Sequence, residues 1–159
     1  VSDELIKKGL ENYKGVKRRF EYLIKNENLV FIDDYAHHPT EINSLVKSVR
    51  ELFPAKKITG VFQPHLFSRT KDFADEFAAE LSKLDEVIVL DIYPARELPM
   101  EGIDAEFLLN KITNPKKETA SKNEVLELLG KKEIEVLLTI GAGDISTLVL
   151  PIKETLNKR

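Results

Sequence analysis

The residues best suited to chemistry in this chain lie in one short segment, LVFIDDYAHHPTE at residues 29–41. An apolar run at 29–32 predicts a buried strand. Two carboxylates and two imidazoles follow it within six residues: Asp33, Asp34, His37 and His38. In an open α/β sheet, ligands bind beyond the carboxyl ends of the strands, where helix N-termini point inward. We therefore expect these four side chains to line a ligand site, and not merely to cap a helix and pack.

A carboxylate directly after such a strand can accept hydrogen bonds from both hydroxyls of a ribose. We assign that role to Asp34, with Asp33 as its neighbour. Arg19 and Arg69 could each neutralise a phosphate or a carboxylate, because a planar and permanently charged guanidinium matches two oxygens. A surface ion pair is the alternative use for both arginines.

A glycine-rich segment, Gly141-Ala142-Gly143-Asp144, lies between a strand and a helix, where a phosphate loop could lie. It lacks the third glycine of GxGxxG and the GK[ST] of a P-loop, so a tight strand-to-helix turn is the favoured interpretation. Tyr35 and Tyr93 also follow strands and could stack on a base, although packing is the commoner use of a tyrosine there.

A metal site is a second interpretation of the same loops, because their carboxylates and imidazoles are hard or borderline ligands. The candidate ligands are Asp33, Asp34, His37, His38 and Asp91. Adjacent histidines project in different directions, so at most one of His37 and His38 would bind the metal. This hypothesis predicts a metal-dependent phosphohydrolase that is complete within the chain.

The elements that must position these loops alternate between strand and helix. Strands are predicted at 20–25, 29–33, 57–63, 87–90 and 135–140, with a weaker one at 117–119. Helices are predicted at 3–12, from Pro39 to the stop at Pro54, along an apolar face at 73–84, and at 105–112 and 121–129. The helix at 121–129 has the capping box Ser121 and Glu124, and a closing helix after 144 is kinked or divided by Pro151.

Strands that alternate with helices at this spacing indicate βαβ units with right-handed crossovers. We predict an α/β fold, a Rossmann-like three-layer sandwich whose sheet is mostly parallel and carries one antiparallel hairpin at its edge. The three histidines of the chain, which are His37, His38 and His65, then fall in loops at one end of the sheet.

Composition excludes several classes of protein. The chain has 159 residues, of which 42% are hydrophobic and 32% charged, as in one globular domain with a core. The net charge is −3 and the charged residues of both signs are interspersed, which disfavours nucleic-acid and membrane surfaces. The absence of cysteine excludes a disulfide framework and a thiolate zinc site.

The start of the chain and its hydropathy indicate where in the cell the protein is located. No apolar run approaches the roughly 18 residues of a membrane helix, and the first residues do not form a signal peptide. We therefore expect a cytoplasmic protein. The chain starts without methionine and within a helical pattern, which predicts a piece of a longer protein.

Five motifs, in order along nearly the whole chain, resemble the C-terminal domain of the Mur ligases. They are GVKRRFE at 15–21, DDYAHHPTE at 33–41, FQPHLFSRT at 62–70, DIYPARE at 91–97 and GAGDI at 141–145. The resemblance is to the members that join L-alanine to UDP-N-acetylmuramate. The related members that reattach a recycled tripeptide are an alternative, which Tyr35 and the FQPH loop disfavour because those members are expected to have phenylalanine and to lack that loop.

The resemblance implies one domain of a three-domain cytoplasmic enzyme of peptidoglycan synthesis. With ATP and Mg²⁺, such an enzyme activates the lactyl carboxylate of UDP-N-acetylmuramate as an acyl phosphate, and the amine of L-alanine attacks it. Residues 1–17 would be the tail of the central ATPase domain and a hinge, and residues 18–159 the C-terminal domain. The N-terminal and central domains would be its partners in cis, the central one holding the P-loop and most contacts to Mg²⁺.

The resemblance also implies roles for single residues on the nucleotide side. Arg19, at the hinge, would meet the ATP phosphates, and Asp34 would bind the ribose. His37 and His38 match the motif and would lie at the nucleotide edge of the closed cleft.

On the amino-acid side, His65 and Arg69 would face the substrate, with Arg69 pairing with the alanine carboxylate. Some members have a second arginine where this chain has Leu66. No metal ligand is assigned in this chain, and alone it is expected to be catalytically inactive. A non-catalytic nucleotide-binding module is a further alternative to the ligase domain and the phosphohydrolase.

Overall fold

The computed structural model describes residues 1–13 and 15–158. Lys14, which belongs to the predicted hinge, lies outside the described residues. One sheet has the strand order β1-β2-β6-β3-β4-β5. Its strands are β1 (Glu21–Lys25), β2 (Val30–Asp34), β3 (Ile58–Phe62), β4 (Glu86–Leu90), β5 (Lys117–Ala120) and β6 (Val136–Ile140).

The predicted fold class is confirmed by the pairing of these strands. β1 and β2 are antiparallel and form a hairpin at the edge of the sheet, while every other pair is parallel. The carboxyl ends of β2, β6, β3, β4 and β5 therefore meet at one edge. The loops that carry the candidate residues leave the sheet at this edge.

Helices cover both faces of the sheet. They are α1 (Asp3–Glu11), α2 (Pro39–Leu52), α3 (Phe67–Asp72), α4 (Ala74–Leu81), α5 (Ala105–Lys111), α6 (Val125–Lys131), a 3₁₀ helix (Asp144–Leu148) and α7 (Val149–Asn157). One apolar core joins the sheet to α2, α4 and α5, and a second joins it to α6 and α7. Alternate residues of β2 enter different cores: Val30 and Ile32 belong to the first, Phe31 to the second.

α1 stands apart from both cores. None of its residues is buried, and its apolar side chains Leu5, Ile6 and Leu10 are exposed. Within the described ranges, no helix combines the length and the apolar character needed to span a bilayer.

The predicted helix boundaries differ from the structure in three places. The helix expected along 73–84 is α4, which begins at Ala74 and ends at Leu81, and a separate short helix that was not predicted, α3, lies directly before it. The predicted pair of Ser121 and Glu124 does form, with the Ser121 N–H 2.9 Å from the carboxylate, but it holds a turn and α6 begins only at Val125. The closing segment divides at Val149, and Pro151 falls in the first turn of α7, where its missing N–H breaks no helical hydrogen bond.

Candidate functional site

Asp34, the last residue of β2, presents a fixed carboxylate at the carboxyl edge of the sheet. One carboxylate oxygen accepts the N–H of Phe20 at 2.7 Å and the other accepts the N–H of Ala36 at 2.8 Å. A carboxylate has about four lone-pair sites, so roughly two stay available for a ligand. Two acceptors held at a fixed spacing match the paired hydroxyls of a ribose.

A groove of about 370 Å³ opens beside this carboxylate. Arg19 is exposed and lines the groove together with Asp34, so the structure brings together two of the four residues that the sequence assigned to a nucleotide; His37 and His38 do not line it. Residues of α2 also line the groove. The further lining residues are Phe20, Tyr35, Ala36, Glu41, Ser44, Leu45 and Ser48.

Asp33 has a different environment, although it is the neighbour of Asp34. Its side chain is buried, accepts the hydroxyl of Thr139 at 2.6 Å and lies 3.2 Å from Nε of Arg18. Burial raises the pKa of the Asp33 carboxyl, and the hydrogen bonds from Thr139 and Arg18 oppose that rise. The partners of Asp33 are therefore within the protein, and it is not presented to a ligand.

Arg18 was missed by the sequence analysis, which chose its neighbour Arg19. Besides Asp33, the Arg18 guanidinium donates to the carbonyl of Gly141, and it lies 5.0 Å from the centroid of the Tyr35 ring. Two adjacent arginines in a loop offer no periodicity that would tell which one faces inward. Only the position of Asp33 and the Gly141 carbonyl in the folded chain separates them.

His38 caps α2. Its Nδ1 accepts the N–H of Thr40 at 3.4 Å, and Glu41 accepts the N–H groups of His37 and His38 at 2.9 and 3.1 Å. The ring of His38 packs edge-on against Phe73 with centroids 4.8 Å apart. The expected helix cap at this position is thus a histidine, and neither aspartate provides it.

His37 is half-buried, and its Nδ1 lies 3.1 Å from the carbonyl of Tyr35 and 3.3 Å from the Glu41 carboxylate. Because both neighbours are acceptors, Nδ1 carries a proton. Burial would raise the pKa of Glu41, but the N–H and charge of His37, with those of His38, outweigh burial and lower it. With the Nδ1 proton engaged by these two acceptors, Nε2 is the acceptor nitrogen of the neutral His37 ring.

The loop after β3 places His65 and Arg69 one helical turn apart. Leu66, with φ of 72°, is the N-cap residue of α3, and its N–H donates to the carbonyl of Tyr93 at 2.9 Å. Tyr93 in turn donates its N–H to the carbonyl of Pro64 at 2.8 Å, so the loops after β3 and β4 are joined. This pairing fixes the start of α3, which carries Arg69.

A guanidinium nitrogen of Arg69 lies 3.4 Å from Nδ1 of His65. A guanidinium can only donate, so Nδ1 of His65 is the acceptor and the ring proton is on Nε2. Burial lowers the pKa of His65, and the charges of Arg69 and His37 lower it further. His65 is therefore a neutral side chain with an N–H donor beside the Arg69 cation.

Four rings form a row that links the two halves of the site. Their centroids are 5.2 Å apart for Tyr35 and His37, 6.2 Å for His37 and His65, and 5.5 Å for His65 and Tyr93. Asp34 lies at one end of this row and Arg69 beside its centre. The row of rings thus connects the predicted nucleotide residues to the predicted amino-acid residues. Tyr93 is half-buried within this row, whereas Tyr35 is exposed and lines the groove, so stacking on a base stays a prediction for Tyr35.

The glycine-rich segment after β6 is a tight turn, as the sequence analysis favoured. A Cβ on Gly143 would lie 2.4 Å from Oε1 of Gln63 and 2.7 Å from Cβ of Tyr93. The buried Gln63 amide donates to Asp144 at 2.7 Å and accepts the N–H of Ile145 at 2.8 Å. The glycines therefore allow close approach to Gln63, a residue that sequence reasoning did not single out.

The proposed metal ligands do not converge. In the part of the chain that the structure describes, no three histidine, aspartate or glutamate side chains are placed to hold a metal ion together. Asp33 is engaged with Arg18, His38 caps α2, and Asp91 is exposed. These donor groups therefore do not fit a metal centre within the chain.

Comparison with known proteins gives one consistent family. A family model described as "Mur ligase, glutamate ligase domain" matches residues 18–143. The chain is 56% identical over 156 residues to a UDP-N-acetylmuramate–L-alanine ligase of Flavobacterium psychrophilum, a match that covers 98% of this chain and 35% of that protein. The chain thus spans about a third of the length of the curated relatives it matches.

Two crystal structures show the same architecture. UDP-N-acetylmuramate-alanine ligase MurC from Thermotoga maritima has a TM-score of 0.75 and 29% identity, covering 95% of this chain and 32% of that chain. A murein peptide ligase from Psychrobacter arcticus has a TM-score of 0.70 and 18% identity, covering 96% of this chain and 32% of its own, and so shares the fold.

Proposed function

The chain belongs to the Mur ligase family, as a glutamate ligase domain, and from that premise we propose that it is the C-terminal domain of a longer ATP-dependent enzyme. This enzyme joins L-alanine to UDP-N-acetylmuramate in a cytoplasmic step of peptidoglycan synthesis. The identity of 56% to a relative with that name supports this member of the family over the tripeptide ligases. It also disfavours a separate phosphohydrolase.

We propose that residues 1–17 are the tail of the preceding domain together with a hinge, and that residues 18–159 form the C-terminal domain. The exposed apolar face of α1 supports this division, because its leucines and isoleucine pack on neither core. The relatives are also about three times as long as this chain. Their N-terminal and central domains would be the partners in cis.

The observation that carries the proposal is the placement of Asp34 and Arg19 on one groove. Asp34 binds the ribose hydroxyls with the acceptor capacity that its two backbone hydrogen bonds leave available. Arg19 meets the phosphates, where its charge and planar donor geometry favour phosphate oxygens. His37 borders the same nucleotide edge, and His38 acts there by capping α2.

Arg69 binds the carboxylate of L-alanine in this proposal. Its guanidinium has five N–H donors, of which the structure aims one at His65, so a second edge can pair with a carboxylate. The neutral His65 adds an N–H donor without adding charge. Because the alanine and nucleotide contacts lie on one surface, a single docking movement of this domain would deliver both.

The described side chains do not fit Mg²⁺, so we propose that the preceding domains hold the metal that ATP brings. This chain would contribute by positioning the substrates and by excluding water from the acyl phosphate. An acyl phosphate is hydrolysed when water reaches it, and a docked domain that carries substrate contacts shields the reacting groups while it orients them.

The test uses the full-length protein that contains this chain. Phosphate release should require UDP-N-acetylmuramate, ATP and L-alanine together, and omission of any one should abolish it. Replacement of L-alanine by the recycled tripeptide should not restore turnover. Turnover with the tripeptide alone, or hydrolysis of phosphate esters by residues 1–159 without the other domains, would contradict the proposal.

A further inference from the structure

We propose that Arg18 is a positioning residue for the nucleotide site, which holds Arg19 at the groove and does not itself bind ATP. The inference rests on the proposed function, since it assumes that Arg19 meets the ATP phosphates. It concerns a pair of adjacent arginines, Arg18 and Arg19, whose side chains have opposite environments in this structure.

The side chain of Arg18 is tied to three separate parts of the protein. It pairs with Asp33 of β2, donates to the carbonyl of Gly141 after β6, and lies over the ring of Tyr35. The Arg18 side chain is 23% exposed and that of Asp33 is 2% exposed. Since a buried carboxylate already neutralises this guanidinium, an incoming phosphate gains less from it than from a solvated cation.

The backbone on both sides of Arg19 is also fixed to the end of β2. The carbonyl of Arg18 accepts the N–H of Tyr35 at 2.7 Å, and the N–H of Phe20 donates to Asp34 at 2.7 Å. The N–H of Arg18 donates to Glu21 at 2.8 Å. Arg19 is therefore the centre of a three-residue segment whose flanking residues are both anchored.

This segment has a backbone conformation that needs such anchoring. Arg18 and Phe20 have φ of 58° and 49°, in the left-handed region that side chains other than glycine and asparagine rarely adopt. Residues in this region keep their conformation only when surrounding contacts impose it. Loss of the Arg18 side-chain bonds would remove the part of this anchoring that the backbone bonds do not supply, and the direction of the Arg19 side chain would change with it.

Arg19 itself has the exposure expected of the residue that is being positioned. It lines the groove beside Asp34. The same aspartate that anchors Phe20 is the proposed ribose ligand, so the distance between the phosphate and ribose contacts is set by this short segment. Arg18 acts on ATP through that segment.

The test is a double-mutant cycle in the full-length protein, read as the dissociation constant of a non-hydrolysable ATP analogue. Arg18→Ala and Arg19→Ala should each weaken binding about tenfold, the scale of one charge-assisted hydrogen bond. Arg18→Ala should add less than about twofold when Arg19 is already alanine, because the two residues act through one contact. The KM for L-alanine should stay unchanged in every variant.

Arg50→Ala is the matched control, because Arg50 has the same kind of partners at the opposite end of the sheet. It pairs with Asp85 at 2.8 Å and donates to the carbonyl of Lys83 at 2.7 Å. Arg50→Ala should lower Tm without weakening the binding of the ATP analogue. Arg18→Lys, which keeps the charge beside Asp33, serves where Arg18→Ala does not fold, and should weaken binding of the analogue by less than about tenfold relative to the wild type.

Two results would overturn the inference. The first is multiplication of the single effects in the double variant, since Arg18 would then act independently of Arg19. The second is a fall in Tm with unchanged affinity, as expected for Arg50→Ala, because Arg18 would then be merely structural. Wild-type protein that binds the analogue but releases no phosphate with L-alanine would contradict the proposed function alone, whereas a wild type that binds no ATP analogue would contradict both.

Discussion

Asp33 and Asp34 are consecutive residues of β2 whose carboxylates face opposite sides of the strand. The Asp33 carboxylate is buried against Arg18 and Thr139, and the Asp34 carboxylate is half-buried and held by two backbone N–H groups. Side chains alternate along a strand, so one residue stabilises the domain and the next faces the groove. Substitution of Asp33 should therefore lower mainly the stability of the domain, and substitution of Asp34 should weaken mainly nucleotide binding.

The first prediction concerns the ribose. In the full-length protein, Asp34→Asn should weaken ATP binding by about tenfold, because the amide replaces one acceptor oxygen by a donor. Binding of 2′,3′-dideoxy-ATP should change much less, since it has no hydroxyls to offer. Calorimetric titration with both nucleotides measures the difference.

Asp33→Asn is the matched comparison for the ribose prediction. This variant leaves the partly buried Arg18 without its counter-charge, so it should lower Tm more than Asp34→Asn does. Asp33→Asn should weaken the binding of ATP and of the dideoxy analogue by equal factors. Equal losses for Asp34→Asn with both nucleotides would show that Asp34 does not bind the ribose.

The second prediction concerns the amino acid. Arg69→Ala should raise the KM for L-alanine about ten- to hundredfold, the scale of a lost hydrogen-bonded charge pair, and leave the KM for ATP nearly unchanged. Lys71→Ala, an exposed cation on the same helix α3, is the control and should change neither constant. An Arg69→Ala enzyme with wild-type kinetics would exclude Arg69 from the alanine site.

The third prediction concerns the protonation of His65. Burial and the Arg69 charge hold the pKa of His65 below its ordinary value of 6.5. The neutral ring, which accepts from Arg69, should therefore persist at pH values where an exposed histidine is already protonated. Imidazole NMR titration measures this midpoint.

Arg69→Gln should move the His65 midpoint upwards, because one of the charges that lowers its pKa is removed. The KM for L-alanine in the wild type should rise as pH falls through the same midpoint, since a protonated Nδ1 repels the guanidinium. A midpoint at or above 6.5 in the wild type would contradict the lowered pKa and the environment that causes it.

The fourth prediction concerns acid stability at the opposite end of the sheet. Burial alone would raise the pKa of Glu86, but hydrogen bonds and charges from Lys132 and Lys57 outweigh it and lower the pKa below 4.5. A lowered carboxyl pKa contributes stability above the unfolded-state value of about 4.5, and that contribution is lost as pH falls through the folded-state pKa. Glu86→Gln should therefore cost about 3 kcal/mol at neutral pH and much less in acid.

Denaturant unfolding at neutral and acidic pH measures this difference. Glu118→Gln is the control, because Glu118 pairs with the same Lys132 at 2.6 Å but is 38% exposed. Its substitution should cost under about 1 kcal/mol. A Glu86→Gln deficit that stays constant as pH falls well below 4.5 would show that the ionised carboxylate is not the source of the stability.

Much of the fold follows from local pattern. The apolar runs of β4 and β6, buried on both faces, and the periodic helix after Pro39 are visible in the sequence and are confirmed. The short helix α3 was not predicted, because its six residues are too short a pattern to separate a helical turn from a loop. Local patterns do not separate these two arrangements.

The sequence placed the candidate residues at one edge of the sheet, where the structure has them, but it did not distinguish the roles of adjacent residues. The difference between Asp33 and Asp34 depends on Thr139, which is 106 residues away, and the difference between Arg18 and Arg19 depends on Gly141. The cap formed by His38 was likewise unexpected, since aspartate is the commoner N-cap. Such distinctions arise from contacts between distant segments, which a local pattern does not contain.

The order of strands in the sheet also determines how far each loop would move if the domain turned about the edge of the sheet. The segment that connects α1 to the sheet enters at β1, the outer edge, and β2 and β6 lie between that edge and β3. With about 4.8 Å between neighbouring strands, the end of β2 lies roughly 5 Å from β1 and the end of β3 roughly 14 Å from β1. A turn of about 10° around an axis along β1 would therefore carry Asp34 through about 0.8 Å and the loop of Arg69 through about 2.5 Å. If the proposed hinge and residue roles hold, the nucleotide contact moves less than the amino-acid contact in such a turn, so small errors in docking would weaken alanine recognition first.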